Sequence, residues 1–473
     1  MTLTKRVIAR IDVKGTKLIK GISFEGLRVI GEASNFAQKY ASQNIDEIFY
    51  SDAVASLYGR NSLSNLLKKN SKEVFVPITV GGAIKNINDG KELLYAGADK
   101  LAINTGIVKN PILINQLATA FGSQCVVASV QVRKSYERNH WDVMIESGRE
   151  KTTKKLSDWI EEIQQRGAGE IFLTSVDKDG TAQGPDLDLI SYVSKIVKVP
   201  LIIGGGISNT KDIDSIYKIN KKISGISIGY AFHKSLITPI EIKNYLKVNN
   251  LEVNENNQNS FEVLSKKKTV VVIDYGMGNV QSLCNAINKI GAESILTSEP
   301  DLYPNASFWA LPGVGSFPEG MKRLKEMNLV DKLIERSFKN KGIIGICLGM
   351  QLLFEESEEY GLTKGLGIFK GNVTKLPDAK DILPHVGWNK LFRTQNNEFL
   401  FNKIDENFYQ YFVHSFGVRN HNGKDEFSIY DFKFGGENFI AASKKFNTFG
   451  FQFHPERSGE MGLNLLSELI NKF

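Results

Sequence analysis

The sequence GGAI at residues 81–84 returns as GGGI at residues 204–207, and this repeat decides the fold of the first half of the chain. The sequence IDEIF at residues 45–49 returns as AGEIF at residues 168–172, with the same separation of 123 residues (81 to 204, and 45 to 168). Related segments at one fixed separation indicate two equivalent structural halves. We therefore predict that the first domain consists of two fused half-barrels.

Short β-branched runs alternate with helical segments through the first 248 residues. Strands that alternate with helices form α/β folds, and eight strand-helix units in about 245 residues match a TIM (β/α)8 barrel. An open doubly wound sheet is the alternative. The predicted strands lie near residues 7–13, 47–52, 76–80, 100–104, 126–132, 170–176, 201–203 and 225–228.

An Asn-rich segment of mixed charge follows the predicted barrel. It lacks a clear apolar period and is typical of a linker. The apolar run at residues 270–273 then starts a new strand, and a glycine-containing turn precedes a helix, which is how α/β domains begin. We predict a barrel over residues 1–248, a linker over 249–268 and a doubly wound α/β domain over 269–473.

Composition restricts the class of protein. A chain of 473 residues is too long for one core and indicates two or three domains. The net charge of +7 is dispersed, and no basic cluster interleaved with aromatic residues predicts nucleic-acid binding. Three scattered cysteines predict neither disulfides nor a metal site and fit a reducing cytosol. We see no leader or membrane-spanning run and expect a cytoplasmic protein without a metal or other cofactor.

The sequence GICLGMQ at residues 345–351 places Cys347 in a small-residue turn between an apolar run and a helical pattern. Strand, tight turn and helix form a nucleophile elbow, which exposes the side chain at the turn. The thiolate is the reactive form of cysteine, and the positive partial charge of a helix N-terminus favours it. Cys347 is therefore a candidate nucleophile, although a buried cysteine alone is more often inert packing.

Two further stretches supply what a cysteine nucleophile needs. The sequence GFQFHPE at residues 450–456 brings His454 as a base and Glu456 as the group that orients it. The sequence PGVG at residues 312–315 offers unhindered backbone N–H groups for an oxyanion hole. Each stretch alone has an ordinary explanation as a turn, whereas the three together predict acyl transfer. The oxyanion-hole candidates are Gly313, Val314 and Gly315.

These three stretches, in this order, resemble the class I glutamine amidotransferases. The resemblance places Cys347, His454 and Glu456 on that family's catalytic triad. It places Gln351 and Glu359 where the family holds the substrate glutamine. The implied reaction is hydrolysis of the glutamine side-chain amide through a thioester, which releases ammonia.

Glycine-rich turns follow several predicted barrel strands at the end where TIM barrels hold their active sites. Backbone N–H groups in such turns converge on phosphate groups. Turns in repeat-related positions predict a ligand with a phosphate at each end. The alternative is that these glycines serve only tight strand-to-helix turns. The candidate phosphate-binding residues are Gly82, Ala83, Asn104, Thr105, Gly180, Gly205, Gly206 and Gly229.

The first 250 residues resemble the cyclase barrel of imidazole glycerol phosphate synthase. Residues 383–389 (LPHVGWN) and 411–414 (YFVH) resemble the glutaminase of that family. The resemblance implies that ammonia enters the bottom of the barrel and reacts at its top with a bisphosphorylated substrate. The implied products are imidazole glycerol phosphate and an aminoimidazole ribonucleotide.

The same resemblance implies an ammonia gate of four charged residues at the barrel entrance. Two acids and two bases occupy the matching positions here, although ordinary ion pairs at strand starts would use the same residue types. The residues are Arg6, Glu47, Lys100 and Glu170.

The resemblance fails at the centre of the synthase site. The family uses one aspartate at the end of strand one, matched by Asp12, and another at the end of strand five, where this chain has Gln131. A glutamine amide cannot exchange a proton near neutral pH. Arg10 shares the inward face with Asp12 and should lower its pKa, or could hold a carboxylate or phosphate. Tyr230 is bulky for a turn that contacts phosphate.

These departures favour a diverged paralogue. Some relatives deliver ammonia for conversion of an acetamido sugar to an acetamidino sugar in surface-polysaccharide (lipopolysaccharide) pathways, together with a separate ATP-dependent amidotransferase-like protein. The alternative is an orthodox synthase of histidine biosynthesis that tolerates Gln131. A non-catalytic scaffold is a third hypothesis, and the intact Cys347, His454 and Glu456 argue against it.

Overall fold

Eight parallel strands close into a barrel in the first half of the chain. Strand one pairs with strands two and eight, and strand five pairs with strand six, so the ring is complete. The predicted TIM barrel is confirmed, and half of the strand ends coincide with the predicted ones while the others shift by one to three residues. The barrel strands are Arg6–Lys14, Glu47–Asp52, Ile78–Gly81, Lys100–Ile103, Val126–Ser135, Glu170–Ser175, Leu201–Gly204 and Gly225–Ile228.

The computed structural model describes residues 3–53, 63–135, 140–255, 263–264, 268–377, 381–394, 408–420 and 427–472. Within them the repeat places its copies on strands two and six and on strands three and seven, four strands apart. This spacing is that of two half-barrels of four strands each.

Helices surround the barrel because each has one apolar stripe. The helix Leu156–Gln165, for example, buries Leu156, Trp159, Ile160 and Ile163, which recur at helical spacing. Two hairpin-like strand pairs, Lys17–Ile22 with Glu25–Glu32 and His140–Ile145 with Glu150–Lys155, extend the sheet. The helices are Ala33–Ala41, Leu63–Asn70, Ile87–Tyr95, Thr105–Lys109, Ile112–Phe121, Leu156–Gln165, Leu187–Val193, Thr210–Ile219, Tyr230–His233 and Pro239–Val248.

The barrel interior consists of three layers. Side chains alternate between the two faces of a strand, so strand one directs Arg6, Ile8, Arg10 and Asp12 inward. Arg6 belongs to a charged layer at the bottom, and Arg10 and Asp12 belong to one at the top. A buried apolar layer separates the two and consists of Ile8, Phe49, Ala102, Val127, Phe172 and Ile202.

The second domain is a doubly wound α/β domain, as predicted. Within its described residues the central sheet has eight strands: five neighbours pair in parallel, and the last three are added by antiparallel pairing. In spatial order these strands are Glu293–Thr297, Thr269–Ile273, Phe308–Leu311, Gly342–Ile346, Thr448–Phe451, Glu437–Lys445, Ser428–Phe434 and Phe392–Arg393. The helices are Val280–Lys289, Phe317–Glu326, Val330–Phe338, Leu348–Leu352 and Gly459–Lys472. A smaller sheet contains Thr363–Lys364, Glu356–Ser357, Asn372–Lys375 and Phe416–Val418.

An antiparallel pair of strands, His385–Lys390 and Tyr409–His414, lies between the two domains, and we call it the interface ribbon. Trp388 Nε1 donates a hydrogen bond to the backbone oxygen of Asp46 at 3.2 Å. Phe412, on the other face of the ribbon, belongs to the core of the second domain. The ribbon residues that join the barrel's core are Val386, Trp388, Tyr409, Tyr411 and Val413.

A buried polar cluster also joins the domains at the bottom of the barrel. Arg457 Nε lies 2.9 Å from the Asp99 carboxylate, and its Nη2 donates to the backbone oxygen of Gly97 at 2.5 Å. Asn279 Nδ2 donates to the same Asp99 at 3.0 Å. The domains therefore share polar as well as apolar contacts.

The last barrel helix ends at Val248, the predicted end of the first domain. The chain beyond it stays on the barrel, because the Lys5 N–H donates to the Glu252 oxygen at 2.7 Å and Val253 is buried. The start of the predicted linker therefore packs against the barrel. Residues 256–262 and 265–267 of that linker lie outside the described residues. Among the helices that the structure describes, none has the length and hydropathy to cross a membrane.

Candidate active sites

Cys347 lies at the turn between the strand Gly342–Ile346 and the helix Leu348–Leu352. Its φ of +52° is rare for a residue with a side chain, as the strained turn of a nucleophile elbow requires. A Cβ on Gly349 would lie 1.8 Å from the Leu311 oxygen. The elbow therefore depends on the small residue that the sequence supplies there.

His454 and Glu456 follow the neighbouring strand Thr448–Phe451 and form a buried pair. His454 Nδ1 lies 2.7 Å from Glu456 Oε1, so the carboxylate orients the ring. Burial lowers the pKa of His454, but Glu456 and Cys347 raise it more, and the net pKa lies well above the ordinary value. The carboxylate of Glu456 thus both orients His454 and favours its protonated form.

One cavity brings Cys347 together with the predicted glutamine-binding residues Gln351 and Glu359. Val314 and Gly315 also line it, and Gln124 reaches it from the barrel. Glu359 accepts a hydrogen bond from the Phe317 N–H at 2.7 Å, and burial raises the pKa of Glu359 to about 7. The glutaminase site therefore opens against the bottom of the barrel.

In the predicted oxyanion-hole stretch, the carbonyl of Gly313 faces the elbow, and the role of this stretch stays a prediction. The Leu348 N–H, which follows the nucleophile and is the expected donor at an elbow, points to the Gly313 oxygen at 3.4 Å. A Cβ on Gly313 would lie 2.8 Å from the Gly349 nitrogen, so this stretch packs directly on the elbow. In this conformation the Gly313 carbonyl therefore engages the Leu348 N–H.

Gln452, which none of the sequence motifs indicated, contacts the candidate nucleophile Cys347. Its Nε2 lies 3.7 Å from Cys347 Sγ, and its Oε1 accepts a hydrogen bond from Gln351 Nε2 at 3.1 Å. The available signal was a polar residue within the buried apolar stretch just before His454.

The four predicted gate residues form a closed ring at the bottom of the barrel, and we call it the bottom ring. Arg6 Nη1 lies 2.8 Å from Glu47, and its Nη2 contacts Glu170. Lys100 Nζ lies 2.8 Å from Glu47 and 2.7 Å from Glu170. All four side chains are buried. The ring faces the second domain, because Gly387 of the interface ribbon lies beside Arg6.

Asp12 belongs to a second ring, at the top of the barrel, which we call the top ring. Its Oδ1 accepts from Arg10 Nε at 2.8 Å, and its Oδ2 accepts from Lys20 Nζ at 2.7 Å. The Asp179 carboxylate lies 2.8 Å from Lys20 Nζ and 3.8 Å from Arg10 Nη1. Burial would raise the pKa of Asp12, but Arg10 and Lys20 hold it well below its ordinary range.

Gln131 lines a cavity at the top of the barrel. Its Oε1 is buried and lacks a hydrogen-bond partner among the described residues. Asn104 donates to the Ser129 and Met144 carbonyl oxygens at 3.0 and 3.1 Å, so its amide anchors the backbone. The predicted phosphate-binding residues that line this cavity with Gln131 are Gly82, Ala83, Asn104 and Thr105.

The other predicted phosphate-binding residues do not line this cavity. A Cβ on Gly180 would lie 2.1 Å from the Gly21 oxygen, and one on Gly206 would lie 2.1 Å from the Gly184 oxygen. Close backbone approach accounts for the lack of a side chain at both positions, and their role in phosphate binding stays a prediction. Gly205 and Gly229 also lie outside the cavity, and Tyr230 begins a short helix after Gly229.

Comparison with known proteins finds a family match for each half of the chain. Residues 6–238 match the family described as "Histidine biosynthesis protein", and residues 271–471 match "Glutamine amidotransferase class-I". The barrel is 48% identical over 209 residues to imidazole glycerol phosphate synthase subunit HisF of Legionella pneumophila, covering 98% of that protein and 44% of this chain. It is 41% identical over 245 residues to the subunit HisF of Dictyoglomus turgidum, covering 96% of that protein and 52% of this chain.

A HisF-like cyclase barrel fused to a class I glutamine amidotransferase domain defines an amidotransferase enzyme. The chain belongs to the imidazole glycerol phosphate synthase family.

Proposed function

We propose that the chain hydrolyses glutamine at Cys347 and uses the ammonia in its own barrel for C–N bond formation on a phosphorylated acceptor. The observation that carries this proposal is the position of the glutaminase cavity. It holds Cys347 and the barrel residue Gln124 together, and Gln124 lies just before strand five, at the end of the barrel that carries the bottom ring. Ammonia formed there has a short route into the barrel.

The glutaminase step follows from the geometry of the triad. The Cys347 thiolate attacks the side-chain carbonyl carbon of glutamine, and the C–N bond breaks as His454 gives a proton to the leaving ammonia. Water, activated by His454, then attacks the thioester carbon. Glutamate leaves, and the proton from water returns through His454 to the sulfur. Glu456 keeps Nδ1 of His454 engaged throughout.

The oxyanion of each tetrahedral intermediate needs N–H donors. The Gly313 carbonyl now faces the Leu348 N–H. We infer that the peptide between Gly313 and Val314 turns over during catalysis, so that the Val314 N–H replaces the carbonyl. Slow basal glutaminase activity follows from this arrangement.

Transfer into the barrel requires the bottom ring to open. The four buried side chains leave each carboxylate bonded to two cations. Displacement of Lys100 alone leaves Glu47 and Glu170 paired with Arg6. We propose Lys100 as the moving member of the ring, because its ammonium sits on a flexible four-carbon stem.

The acid–base step at the top of the barrel is the part we propose to have diverged. Asp12 is engaged by two cations, and Gln131 stands at the second acid position. An acceptor that needs ammonia but less proton transfer fits this site better than the histidine-pathway cyclisation. Delivery of ammonia for acetamidino modification of a surface-polysaccharide sugar, with a separate ATP-dependent amidotransferase, is one such role. Orthodox synthesis of imidazole glycerol phosphate is the second candidate, favoured by the HisF relatives.

Glutamine labelled with ¹⁵N in its side-chain amide tests the proposal. The purified chain should release glutamate and ¹⁵N-ammonia at equal rates, and Cys347→Ala should release neither. A chain without glutamine turnover, or with turnover that survives Cys347→Ala, would refute the proposed glutaminase. Genes beside the coding sequence separate the two acceptor candidates, because sugar-modification genes and histidine genes give opposite answers.

A further inference from the structure

Two buried histidines that the glutaminase chemistry does not use form a continuous hydrogen-bond chain. His385 Nδ1 and His414 Nε2 lie 3.0 Å apart, and His414 Nδ1 lies 2.7 Å from the backbone oxygen of Phe416. At the other end Asn389 Nδ2 lies 3.2 Å from His385 Nε2. The chain therefore runs from Asn389 to the Phe416 carbonyl.

One arrangement of protons satisfies every link when both rings are neutral. A carbonyl oxygen only accepts, so His414 Nδ1 carries the proton that reaches Phe416. The neutral ring then accepts at Nε2, and His385 Nδ1 must donate to it. His385 Nε2 is left to accept from the Asn389 amide. The direction of the chain is fixed from end to end.

The surroundings keep both rings neutral. The His385 ring stacks on Phe412 at 4.7 Å between centroids and lies 5.1 Å from Phe432 and 4.9 Å from Phe434. Burial lowers the pKa of His385 well below its ordinary value, and burial lowers the pKa of His414 to about 3. These histidines therefore act as fixed donors and acceptors.

The Phe416 end of the chain meets the glutamine cavity. The Phe416 oxygen also accepts from Gln351 Nε2 at 2.8 Å, so two donors share this carbonyl. The second N–H of Gln351 goes to Gln452, whose own Nε2 lies 3.7 Å from Cys347 Sγ. The orientation of the Gln351 amide thus depends on the carbonyl that His414 holds.

The Asn389 end of the chain lies on the interface ribbon. Asn389 follows Trp388, which contacts the barrel through the backbone of Asp46. His385 and His414 face each other across the two strands of that ribbon. The element that packs on the barrel is therefore the element that carries the histidine chain.

We propose that His414 is a positioning residue for the glutamine site: it fixes the Phe416 carbonyl, which in turn orients the Gln351 amide toward the substrate. His385 and Asn389 hold His414 from the interface ribbon. This inference rests on the proposed glutaminase, because it assigns Gln351 to glutamine binding.

Three variants separate positioning from packing. His414→Phe keeps a planar ring but removes the donor to Phe416. His414→Asn places an amide N–H where Nδ1 stands and restores that donor. Phe434→Leu is the matched control, because it loosens the aromatic cage around His385 without removing any hydrogen bond of the chain.

The readouts are KM and kcat for glutamine, the pH profile, the melting temperature, and the Kd for glutamine in the Cys347→Ala background. His414→Phe should raise KM and Kd about tenfold, the usual effect of one lost hydrogen bond to a buried group. Its kcat and the shape of its pH profile should stay within about twofold, because His454 is untouched. His414→Asn should recover most of the affinity, and Phe434→Leu should lower the melting temperature with KM unchanged.

An unchanged KM and Kd in His414→Phe would overturn the inference while leaving the glutaminase intact. So would a rise in KM in Phe434→Leu that matches the one in His414→Phe, because both would then reflect packing. A wild-type chain that neither binds nor hydrolyses glutamine would overturn the proposed function, and this inference with it.

Discussion

The glutaminase site and the top of the barrel both bury ionisable groups, but their ion pairs involve different atoms. In the glutaminase site the pair joins His454 to Glu456 at 2.7 Å, and the nucleophile Cys347 is not part of it. At the top of the barrel the pairs involve the acid itself, because Arg10 and Lys20 occupy both oxygens of Asp12.

The difference shows that a buried ion pair can have opposite effects. It favours the charged form of the candidate base in the glutaminase site, and it weakens the candidate base at the top of the barrel. Pairing the orienting carboxylate fixes the imidazole and raises the pKa of His454 above its ordinary value. Pairing with Arg10 and Lys20 lowers the pKa of Asp12 and would weaken Asp12 in its predicted role as a base. Gln131 lines the cavity at the top of the barrel, and we propose that this position contributes less to proton transfer than an aspartate would.

Removal of the nucleophile should give the largest effect. We expect Cys347→Ala to lower glutamine hydrolysis by at least about 10⁴-fold, because no thioester can form. Glutamate release measures it. Cys284→Ala is the matched control, since Cys284 is also buried and free and should keep full activity. Loss of activity in the control, or its persistence in Cys347→Ala, would contradict the assignment.

An acid restored at position 131 should make the top of the barrel competent for proton transfer, and so remove its difference from the glutaminase site. We expect Gln131→Asp to raise ammonia-driven formation of imidazole glycerol phosphate by about 10²–10⁴-fold, the usual value of one acid–base group. Product formation from the histidine-pathway bisphosphate substrate measures it. Gln131→Asn has the size of aspartate without its proton and should give no gain. Equal rates in both variants would mean that size, not charge, limits the site.

The bottom ring lies between the two sites, and its buried ion pairs should contribute to the stability of the fold. Lys100→Met should lower the free energy of unfolding by about 3–5 kcal/mol, because it leaves two buried carboxylates with one cation. Urea unfolding measures this. Lys218→Met removes an exposed, solvent-screened pair and should leave the free energy of unfolding nearly unchanged. Similar losses in both would show that burial of the ring contributes nothing.

The bottom ring also sets a pH dependence of stability. Burial raises the pKa of Glu170, but Arg6 and Lys100 lower it more, so its pKa is below the ordinary value. Such a group stabilises the fold above its unfolded pKa of about 4.3 and loses that contribution as the pH falls through its folded pKa. Lys100→Met should move this loss to higher pH.

The smallest expected effect concerns Glu359. Because the pKa of Glu359 is about 7, its side chain changes from mostly protonated to mostly ionised between pH 6 and 8. If the carboxylate pairs with the ammonium group of glutamine, KM should fall about tenfold over that range. Glu359→Gln should give a high KM that is independent of pH, and Glu358→Gln, an exposed neighbour, should keep the slope. A flat KM in the unmodified chain would remove Glu359 from the binding site.

Periodic features of the sequence predicted most of the fold. The 123-residue repeat places equivalent segments four strands apart, and a closed parallel barrel is the structure with that symmetry. Alternation along strand one also placed Arg6 and Arg10 on the same inward face, at opposite ends of the barrel. The elbow at Cys347 was predictable because its small neighbours are required by close packing.

The sequence could not predict contacts made between distant segments. Lys20 reaches Asp12 from the strand Lys17–Ile22, and Asp179 reaches the top ring from a loop after strand six. The Gly313 carbonyl meets the elbow only through tertiary packing. Short motifs and periodicity do not predict which backbone oxygen accepts from which donor when the two lie far apart in the sequence.

One measurement tests the central claim most directly. The purified chain is given ammonium salt near pH 8.5 and the histidine-pathway bisphosphate substrate, and glutamine hydrolysis is assayed in the same preparation. The account predicts glutamine turnover that depends on Cys347, with at most trace formation of imidazole glycerol phosphate. Rapid formation of that product by the unmodified chain would contradict it, because Asp12 and Gln131 would then suffice for the cyclase step.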